Sequence, residues 1–270
     1  MSFPQLVLLG AIAGYTVFLG LPVARLRKVS QIWSIGAGAA SAGILLFLVI
    51  DVASHMIKPL EEAAKNLSQK GAGEMALLSM AALAGLTVGF LGLVFLSSFL
   101  TQRSQTLDSP GAVSATKVID NPLRLALMIA IGIGLHNFAE GLAIGQAAAT
   151  GTVSLALVLV IGFGLHNATE GFGITGPLVG HVRPSWRFLL LVGFIGGTPT
   201  FVGTLLGRVY SNDVVSTLFL ALAAGSIIYV VQTLVYTGLR SEKQTVFSIG
   251  LLIGLVAGIA TDLVIAAAGV

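Results

Sequence analysis

The amino-acid sequence predicts an all-α integral membrane protein that crosses the bilayer eight times. Of its 270 residues, 56% are hydrophobic and only 9% are charged, and the mean hydropathy is +0.98. A soluble domain carries about 25% charged residues, so this composition excludes one. The 34 glycines suit closely packed membrane helices. Because the chain has no cysteine, disulfides, iron–sulfur clusters and thiolate zinc sites are excluded.

Apolar runs of roughly 20 residues, the length a helix needs to cross a bilayer, define the predicted spans. The basic segment His181-Val-Arg-Pro-Ser-Trp-Arg187 separates the fifth run from the sixth. The first run lacks a basic leader and is expected to be a permanent span rather than a cleaved signal. We expect one polytopic domain over residues 1–270, with spans at 5–24, 31–57, 75–99, 122–148, 152–180, 187–208, 214–239 and 245–268.

The distribution of basic residues predicts the orientation of the chain. Ten Lys and Arg residues fall on one side of the predicted spans and four on the other. Under the positive-inside rule, both termini are then extracytoplasmic and the protein lies in the cell membrane. We expect an external loop at 59–74, whose acids Glu61, Glu62 and Glu74 are solvated, and a polar cytoplasmic loop at 100–121.

A repeated motif is the most informative feature of the chain. Ile131-Gly-Ile-Gly-Leu-His-Asn-Phe-Ala-Glu-Gly141 returns thirty residues later as Ile161-Gly-Phe-Gly-Leu-His-Asn-Ala-Thr-Glu-Gly171. Composition explains the shared glycines but not a shared His-Asn-x-x-Glu. Because consecutive spans run in opposite directions, we expect spans four and five to form an inverted repeat about an axis in the membrane plane.

A weaker similarity links spans two and seven. Ala42-Gly-Ile-Leu-Leu-Phe-Leu-Val49 resembles Ala224-Gly-Ser-Ile-Ile-Tyr-Val-Val231. Chance could produce this similarity; if it is a true repeat, spans 1–3 and 6–8 form a second inverted pair. In this register, Asp51 aligns with Thr233 and His55 with Thr237.

The two motif copies predict a divalent-cation site at the bilayer midplane. His and Glu at i, i+4 lie on one face of a helix, and a carboxylate at the bilayer centre costs at least a few kcal/mol unless a cation offsets it. Imidazole, carboxylate and amide donors together accept Zn²⁺, Fe²⁺, Mn²⁺, Co²⁺ or Cd²⁺. The predicted primary ligands are His136, Glu140, His166 and Glu170, and Asn137 and Asn167 could complete the shell or help to form a second position.

Other interpretations of the polar residues stay open at this stage. The motif side chains could instead form interhelical hydrogen bonds, and their glycines could allow close helix approach. Asp51 and His55 form another i, i+4 pair, which could be an auxiliary metal site, a proton relay or a buried hydrogen bond. Asp262 could serve helix packing, and His181 is expected to be a surface residue rather than a ligand.

The motifs His136-Asn-Phe-Ala-Glu-Gly141 and His166-Asn-Ala-Thr-Glu-Gly171, in spans four and five of eight, resemble those of the ZIP (Zrt/Irt-like) metal transporters. The resemblance implies import of Zn²⁺, or of iron, manganese or cadmium, into the cytoplasm. It also implies a midplane site, often binuclear, at the six motif positions. Spans 1, 4, 5 and 6 would move as a unit against spans 2, 3, 7 and 8, often within a homodimer.

Four departures from the family pattern bear on this site. Ala139 and Thr169 stand where proline is usual, so straighter helices are expected, although the Thr169 hydroxyl can perturb its helix. Thr198 replaces the usual Glu of span six, and residues 229–233 of span seven carry no acid. These losses favour one primary ion over a binuclear site. The loop at 100–121 lacks the usual histidine cluster, so the sequence does not support metal sensing there.

We expect a divalent-metal permease that works by alternating access, and not an enzyme. The alternatives are a non-transporting metal sensor or receptor and an intramembrane metal-dependent hydrolase, although the zincin pattern His-Glu-x-x-His is absent. No cofactor is expected, since the metal would be the transported substrate. The expected partners are divalent metal ions, the lipid bilayer and a second copy of the chain, with no nucleic acid.

Overall fold

Eight α-helices make up most of the structure, which is a computed structural model that describes residues 2–26, 29–108, 121–149, 153–209 and 212–267. The predicted all-α fold is confirmed. The helices are α1 (Phe3–Tyr15), α2 (Gln31–Lys65), α3 (Leu67–Asp108), α4 (Pro122–Ala149), α5 (Val153–Thr175), α6 (Trp186–Gly207), α7 (Asp213–Leu239) and α8 (Gln244–Ala267). The 3₁₀ segments Thr16–Leu19 and Leu21–Arg25 extend α1, and Gly176–Leu178 follows α5.

Capping side chains fix where three of the helices begin. Ser30, Ser185 and Asn212 directly precede α2, α6 and α7. Their side-chain oxygens accept hydrogen bonds from the main-chain N–H three residues later, at 3.4, 3.2 and 3.0 Å. Each bond satisfies an amide that the first turn of a helix leaves without a partner, which is worth about 1 kcal/mol.

The predicted external loop at 59–74 is wrong, because both flanking helices continue through it. Helix α2 ends at Lys65 and α3 begins at Leu67, so only Asn66 separates them. The last turns of α2 are polar enough to end an apolar run, yet they contain good helix formers and an i, i+4 pair in which Lys65 Nζ lies 3.6 Å from Glu61 Oε2. Hydropathy therefore marks the end of the membrane span and not the end of the helix.

The helices have the length and apolar surface of membrane spans. Within the described residues, seven helices are long and apolar enough to cross a membrane, and the fifth of the eight predicted spans corresponds to the 23-residue α5. Helix α3 continues to Asp108, into the predicted loop at 100–121, whose residues 109–120 lie outside the described part. Exposed side chains such as Leu83 (66%) and Phe95 (68%) would be costly in water and suit hydrocarbon. The chain is a multi-pass membrane protein.

Helix packing follows the predicted inverted repeat. We compared the helix pairs that pack together before and after exchanging α1 with α6, α2 with α7, α3 with α8 and α4 with α5. After this exchange, each main packing pair becomes either a different observed pair or itself. The pair α3–α7 becomes α8–α2, α4–α6 becomes α5–α1, and α4–α7 becomes α5–α2. The pairs α1–α6, α2–α7 and α4–α5 map onto themselves. The predicted pairing of spans 1–3 with 6–8, and of span 4 with 5, is confirmed.

Close main-chain contacts repeat with the same exchange. Gly14 and Gly197 meet where α1 crosses α6, and a Cβ on either residue would overlap the carbonyl oxygen of the other. Because this contact maps onto itself, the pseudo-two-fold axis passes through the crossing. In the other half, Gly43 of α2 packs on the Leu251 carbonyl of α8, and Gly225 of α7 packs in the same way on α3.

The bundle has two ends, which we name by their sequence. The basic end carries the α1–α2, α3–α4, α5–α6 and α7–α8 connections, where ten Lys and Arg residues are found in the sequence. The terminal end carries the other connections and both ends of the chain.

Candidate metal centre

The six motif residues lie on α4 and α5 and are all buried. Asn137, Asn167 and Glu170 are fully buried, and the side chains of the two histidines and the other glutamate are also almost inaccessible. Helix α4 contacts α5, α6 and α7, and α5 contacts α1, α2 and α8. The two motif helices therefore form the centre of the bundle, and the other helices shield the motif from its surroundings.

The i, i+4 spacing brings each histidine beside its glutamate, as predicted. Nε2 of His136 lies 3.2 Å from Oε1 of Glu140, and Nε2 of His166 lies 3.6 Å from Oε1 of Glu170. The centres of the two imidazole rings are 6.0 Å apart. One ligand atom each from His136, Glu140 and His166 lies within 4.8 Å of the others, so the two motif copies converge on one point.

These residues hold many buried polar atoms that lack a hydrogen-bond partner among the described residues. Buried polar groups in folded proteins are nearly always paired, so a cluster of unpaired ones requires an explanation. Imidazole nitrogens and carboxylate and amide oxygens can all donate an electron pair to a cation. The atoms without a hydrogen bond, although each Nε2 lies within 4 Å of a glutamate oxygen, are Nδ1 and Nε2 of His136, Oδ1 of Asn137, Oε2 of Glu140, Nε2 of His166, Oδ1 of Asn167, and Oε1 and Oε2 of Glu170.

Each asparagine is fixed by a main-chain carbonyl of a neighbouring helix. Nδ2 of Asn137 donates to the Gly196 carbonyl of α6 at 3.0 Å, and Nδ2 of Asn167 donates to the Ala13 carbonyl of α1 at 2.9 Å. A carbonyl oxygen only accepts, so the amide nitrogen must face it. The amide oxygens are left as free acceptors, and the predicted role of both asparagines as ligands is compatible with the geometry.

The carbonyl groups that hold the asparagines are the part of the site that sequence reasoning missed. Ala13 and Gly196 are apolar residues of α1 and α6, and their side chains carry no functional signal. A signal was nevertheless present, because Gly14-Tyr-Thr-Val-Phe-Leu-Gly20 matches Gly197-Thr-Pro-Thr-Phe-Val-Gly203 at both glycines and the phenylalanine. This match sets the register of α1 against α6 and pairs Ala13 with Gly196.

The motif glycines allow close helix approach, as predicted. A Cβ on Gly141 would overlap the Thr200 carbonyl of α6, and a Cβ on Gly171 would overlap the Val17 carbonyl that follows α1. The Thr169 hydroxyl donates to the His166 carbonyl at 2.7 Å, and α4 and α5 run without a break through both motifs. The ligand atoms that converge within the described residues come from α4 and α5 alone.

The remaining sequence-predicted residues are not among the ligand atoms that converge at this centre. On α2, the Phe47 ring is 6.2 Å from the His166 ring, and Asp51 and His55 follow it towards the terminal end. Nδ1 of His55 lies 3.4 Å from Oδ1 of Asp51, and the His55 side chain is 51% exposed. Asp262 is exposed on α8.

The fold and the site together define a class of protein: a multi-pass helical membrane protein with a buried centre of imidazole, carboxylate and amide donors. A family model described as ZIP Zinc transporter matches residues 102–266, which is more than half of the chain. The chain therefore belongs to the ZIP zinc transporter family, and the resemblance seen in its motifs is confirmed. It is a divalent-metal transporter, and members of the family are transporters rather than enzymes. The comparison with curated proteins gives no match.

Proposed function

We propose that this chain is a permease that carries Zn²⁺, or a related transition-metal dication, through the bilayer into the cytoplasm. The observation that carries the proposal is the convergence of unpaired, buried ligand atoms from two related helices at the centre of the bundle. Transporters built from inverted repeats bind their substrates at this position, near the midplane between the repeats.

His136, Glu140, His166 and Glu170 are the proposed primary ligands. Two ligand atoms on one zinc ion lie at most about 4.2 Å apart, since each metal–ligand bond is about 2.1 Å. The ligand atoms of His136, Glu140 and His166 lie within 4.8 Å of one another, so a small contraction closes them on one ion. The oxygens of Asn137 and Asn167 complete the shell. One primary ion is proposed, because α6 and α7 contribute no carboxylate to the centre.

The proposed direction of transport follows from the charge distribution. The basic end faces the cytoplasm and both termini are extracytoplasmic, in the cell membrane. Asp51 and His55 then lie at the outer mouth, where a carboxylate that is 19% exposed and an imidazole that is 51% exposed can attract a hydrated dication. The sequence over residues 1–270 acts as one transport domain, and a homodimer remains a prediction.

Alternating access is the mechanism that the repeat favours. A cavity of about 170 Å³ lies at the basic end, between α2, α7 and α8 on one side and α4 and the segment after α5 on the other. We assign this cavity to an inward-facing state, and exchange of the conformations of the two repeats would give the outward-facing state.

Uptake into proteoliposomes tests the proposal. Zn²⁺, Mn²⁺, Fe²⁺ and Cd²⁺ uptake would be compared for the wild type and for His136→Ala/Glu170→Ala. A matched control is Glu61→Ala/Lys65→Ala, which removes an exposed pair outside the centre. We expect flux in the wild type and the control, loss of flux in the central variant, and a ranking of the ions.

Each alternative to transport predicts a different result. Equal flux in the central variant would refute the assigned ligands. A folded wild type that binds Zn²⁺ but carries none would identify a non-transporting sensor, the alternative that the missing acids of α6 and α7 favour. Metal-dependent cleavage of a peptide substrate would identify a hydrolase.

A further inference from the structure

The cavity at the basic end contains a histidine that the central site does not use. His181 lines this cavity together with Ser34, Thr237 and Ser241, among other residues. Among the described residues it is the one lining residue with an ionisable side chain, and none of the described Lys or Arg residues lines the cavity. A dication in this space would therefore meet an imidazole and several hydroxyl groups, and no like charge from the described residues of the wall.

A tight turn after α5 carries the His181 ring to the cavity. Gly180 has φ +76°, a conformation that glycine adopts at little cost. The His181 N–H donates to the Leu178 carbonyl at 3.1 Å, which closes the turn, and Gly180 packs against the Ser34 side chain of α2. The position of the ring is thus set by the main chain.

Hydrogen bonds to Nδ1 fix which ring nitrogen of His181 is free. Nδ1 lies 3.0 Å from Ser34 Oγ and 3.2 Å from the Val179 carbonyl oxygen. Ser34 Oγ itself donates to the same carbonyl at 2.7 Å. A carbonyl cannot donate and the serine proton is already used, so Nδ1 must carry the hydrogen of the neutral ring. Nε2 then presents a lone pair and makes no hydrogen bond with the described residues.

This arrangement is the one that histidine ligands of metals adopt. A metal-bound imidazole usually donates its other N–H to a carbonyl or carboxylate, which fixes the tautomer and the ring orientation. His181 has this second bond without a metal. In addition, the Ser241 Oγ atom is buried in the wall of the same cavity and has no hydrogen-bond partner among the described residues.

The four histidines lie at three heights in the bundle, which can be measured along α2. Phe47 marks the level of the central site, through its contact with His166. Ser34, which holds His181, lies thirteen residues nearer the basic end, or about 20 Å at 1.5 Å per residue. His55 lies eight residues the other way, about 12 Å from that level. In the repeat, the position of His55 on α2 corresponds to Thr237 on α7, so α7 has no imidazole at the equivalent place near the basic end. His181, from the segment after α5, supplies an imidazole there instead.

We propose that His181 is a further metal ligand, which takes the transported dication on Nε2 as the ion leaves the central site through the cavity. The identity of the ion and the direction in which it leaves both rest on the proposed function. One imidazole with hydroxyl groups and water binds a transition-metal ion weakly, which suits a step that must release it. The ligand class is a dication that accepts nitrogen, such as Zn²⁺ or Cd²⁺.

A spectroscopic titration tests the contact without requiring transport. The full chain, labelled with ¹⁵N-histidine in nanodiscs, has four imidazoles, which single His→Ala variants assign. We expect His181 to be protonated on Nδ1 and its Nε2 signal to shift on addition of ZnCl₂. The shift should occur above the concentration that saturates the central site and persist in Glu140→Ala. Protonation on Nε2, or a His181 signal that stays unchanged at every Zn²⁺ concentration, would overturn the proposal.

Transport by substituted proteins separates ligation from a structural role. His181→Ala should lower the maximal rate of Zn²⁺ uptake about three- to tenfold and leave the affinity of the central site unchanged by calorimetry. His181→Cys should restore much of the rate, because a thiolate also binds zinc. Equal Zn²⁺ uptake by the wild type and the His181→Ala variant would refute a role of His181 in transport. If the wild type carries no Zn²⁺, the proposed permease function is refuted, and the titration alone then tests whether His181 binds Zn²⁺.

Discussion

Replacing Gly171 by alanine tests how closely α5 and the 3₁₀ segment after α1 approach each other beside the proposed metal centre. A Cβ at this position would overlap the Val17 carbonyl oxygen. The two segments would have to separate by about 1 Å to reach 3.0 Å, below which real Cβ contacts are essentially never seen. The movement would also displace the Ala13 carbonyl, one turn earlier, which holds Asn167.

The expected magnitude follows from a comparison within the same helix. Gly171→Ala and Gly173→Ala both gain about 1 kcal/mol of helix propensity. The nearest atom to a Cβ on Gly173 is Ile44 Cγ2 at 4.0 Å, so that variant meets no obstruction. Only Gly171→Ala adds the cost of overpacking, about 1–3 kcal/mol. The two variants should therefore differ roughly 5- to 150-fold in their unfolding equilibrium constants.

Unfolding in mixed detergent micelles, followed by circular dichroism, measures this difference. Zn²⁺ affinity, measured by calorimetry on the same samples, should fall for Gly171→Ala and stay unchanged for Gly173→Ala. Equal stability and equal affinity of the two variants would show that α5 and the 3₁₀ segment after α1 do not meet at this glycine, and the assigned packing around the centre would be wrong.

Three further outcomes are expected from the same samples. Gly141→Ala should destabilise the protein about as much as Gly171→Ala, because Gly141 contacts the Thr200 carbonyl as Gly171 contacts the Val17 carbonyl. A Gly141→Ala variant with unchanged stability would show that the two contacts are not equivalent. Asn137→Leu should cost about 1–3 kcal/mol in metal-free unfolding, since a buried carbonyl loses its donor, whereas an unchanged midpoint would contradict the bond. Zn²⁺ at a hundred times its Kd should add about 2.7 kcal/mol to the free energy of unfolding. Thermal melts should show that Glu140→Ala removes this gain, and persistence of the gain would refute its role as a ligand.

Much of the centre could be predicted because its determinants are local. His136 and Glu140, like their repeat copies, are brought together by helical spacing alone, and burial follows from the apolar residues around them. The repeat was visible for the same reason, since a shared His-Asn-x-x-Glu is improbable in an apolar background. The packing of α3 against α7 and of α2 against α8 then follows from symmetry.

The parts that sequence reasoning missed depend on contacts between distant segments or on the surroundings of the chain. The Asn167 bond to Ala13 joins residues far apart in sequence, and its acceptor is a main-chain atom that any residue could supply. The loop predicted at 59–74 was wrong because hydropathy reports where the bilayer ends, whereas helix propensity continues through Lys65. His181 was expected to be a surface residue and is exposed, but its pairing with Ser34 required the fold.

The near-equivalence of the two repeats limits what the differences between them can achieve. At the terminal end α2 carries Asp51 and His55, whereas α7 carries Thr233 and Thr237 at the basic end, where His181 also lies. By microscopic reversibility, a passive carrier cannot use such asymmetry to choose a direction of net flow. The asymmetry can only make the half-saturation concentration and the maximal rate differ between the two faces. At equilibrium the ratio of maximal rate to half-saturation concentration must be the same in both directions. A carrier that binds the ion tightly at one face and releases it rapidly at the other still obeys this condition, and accumulation against a gradient would need an energy source beyond these residues.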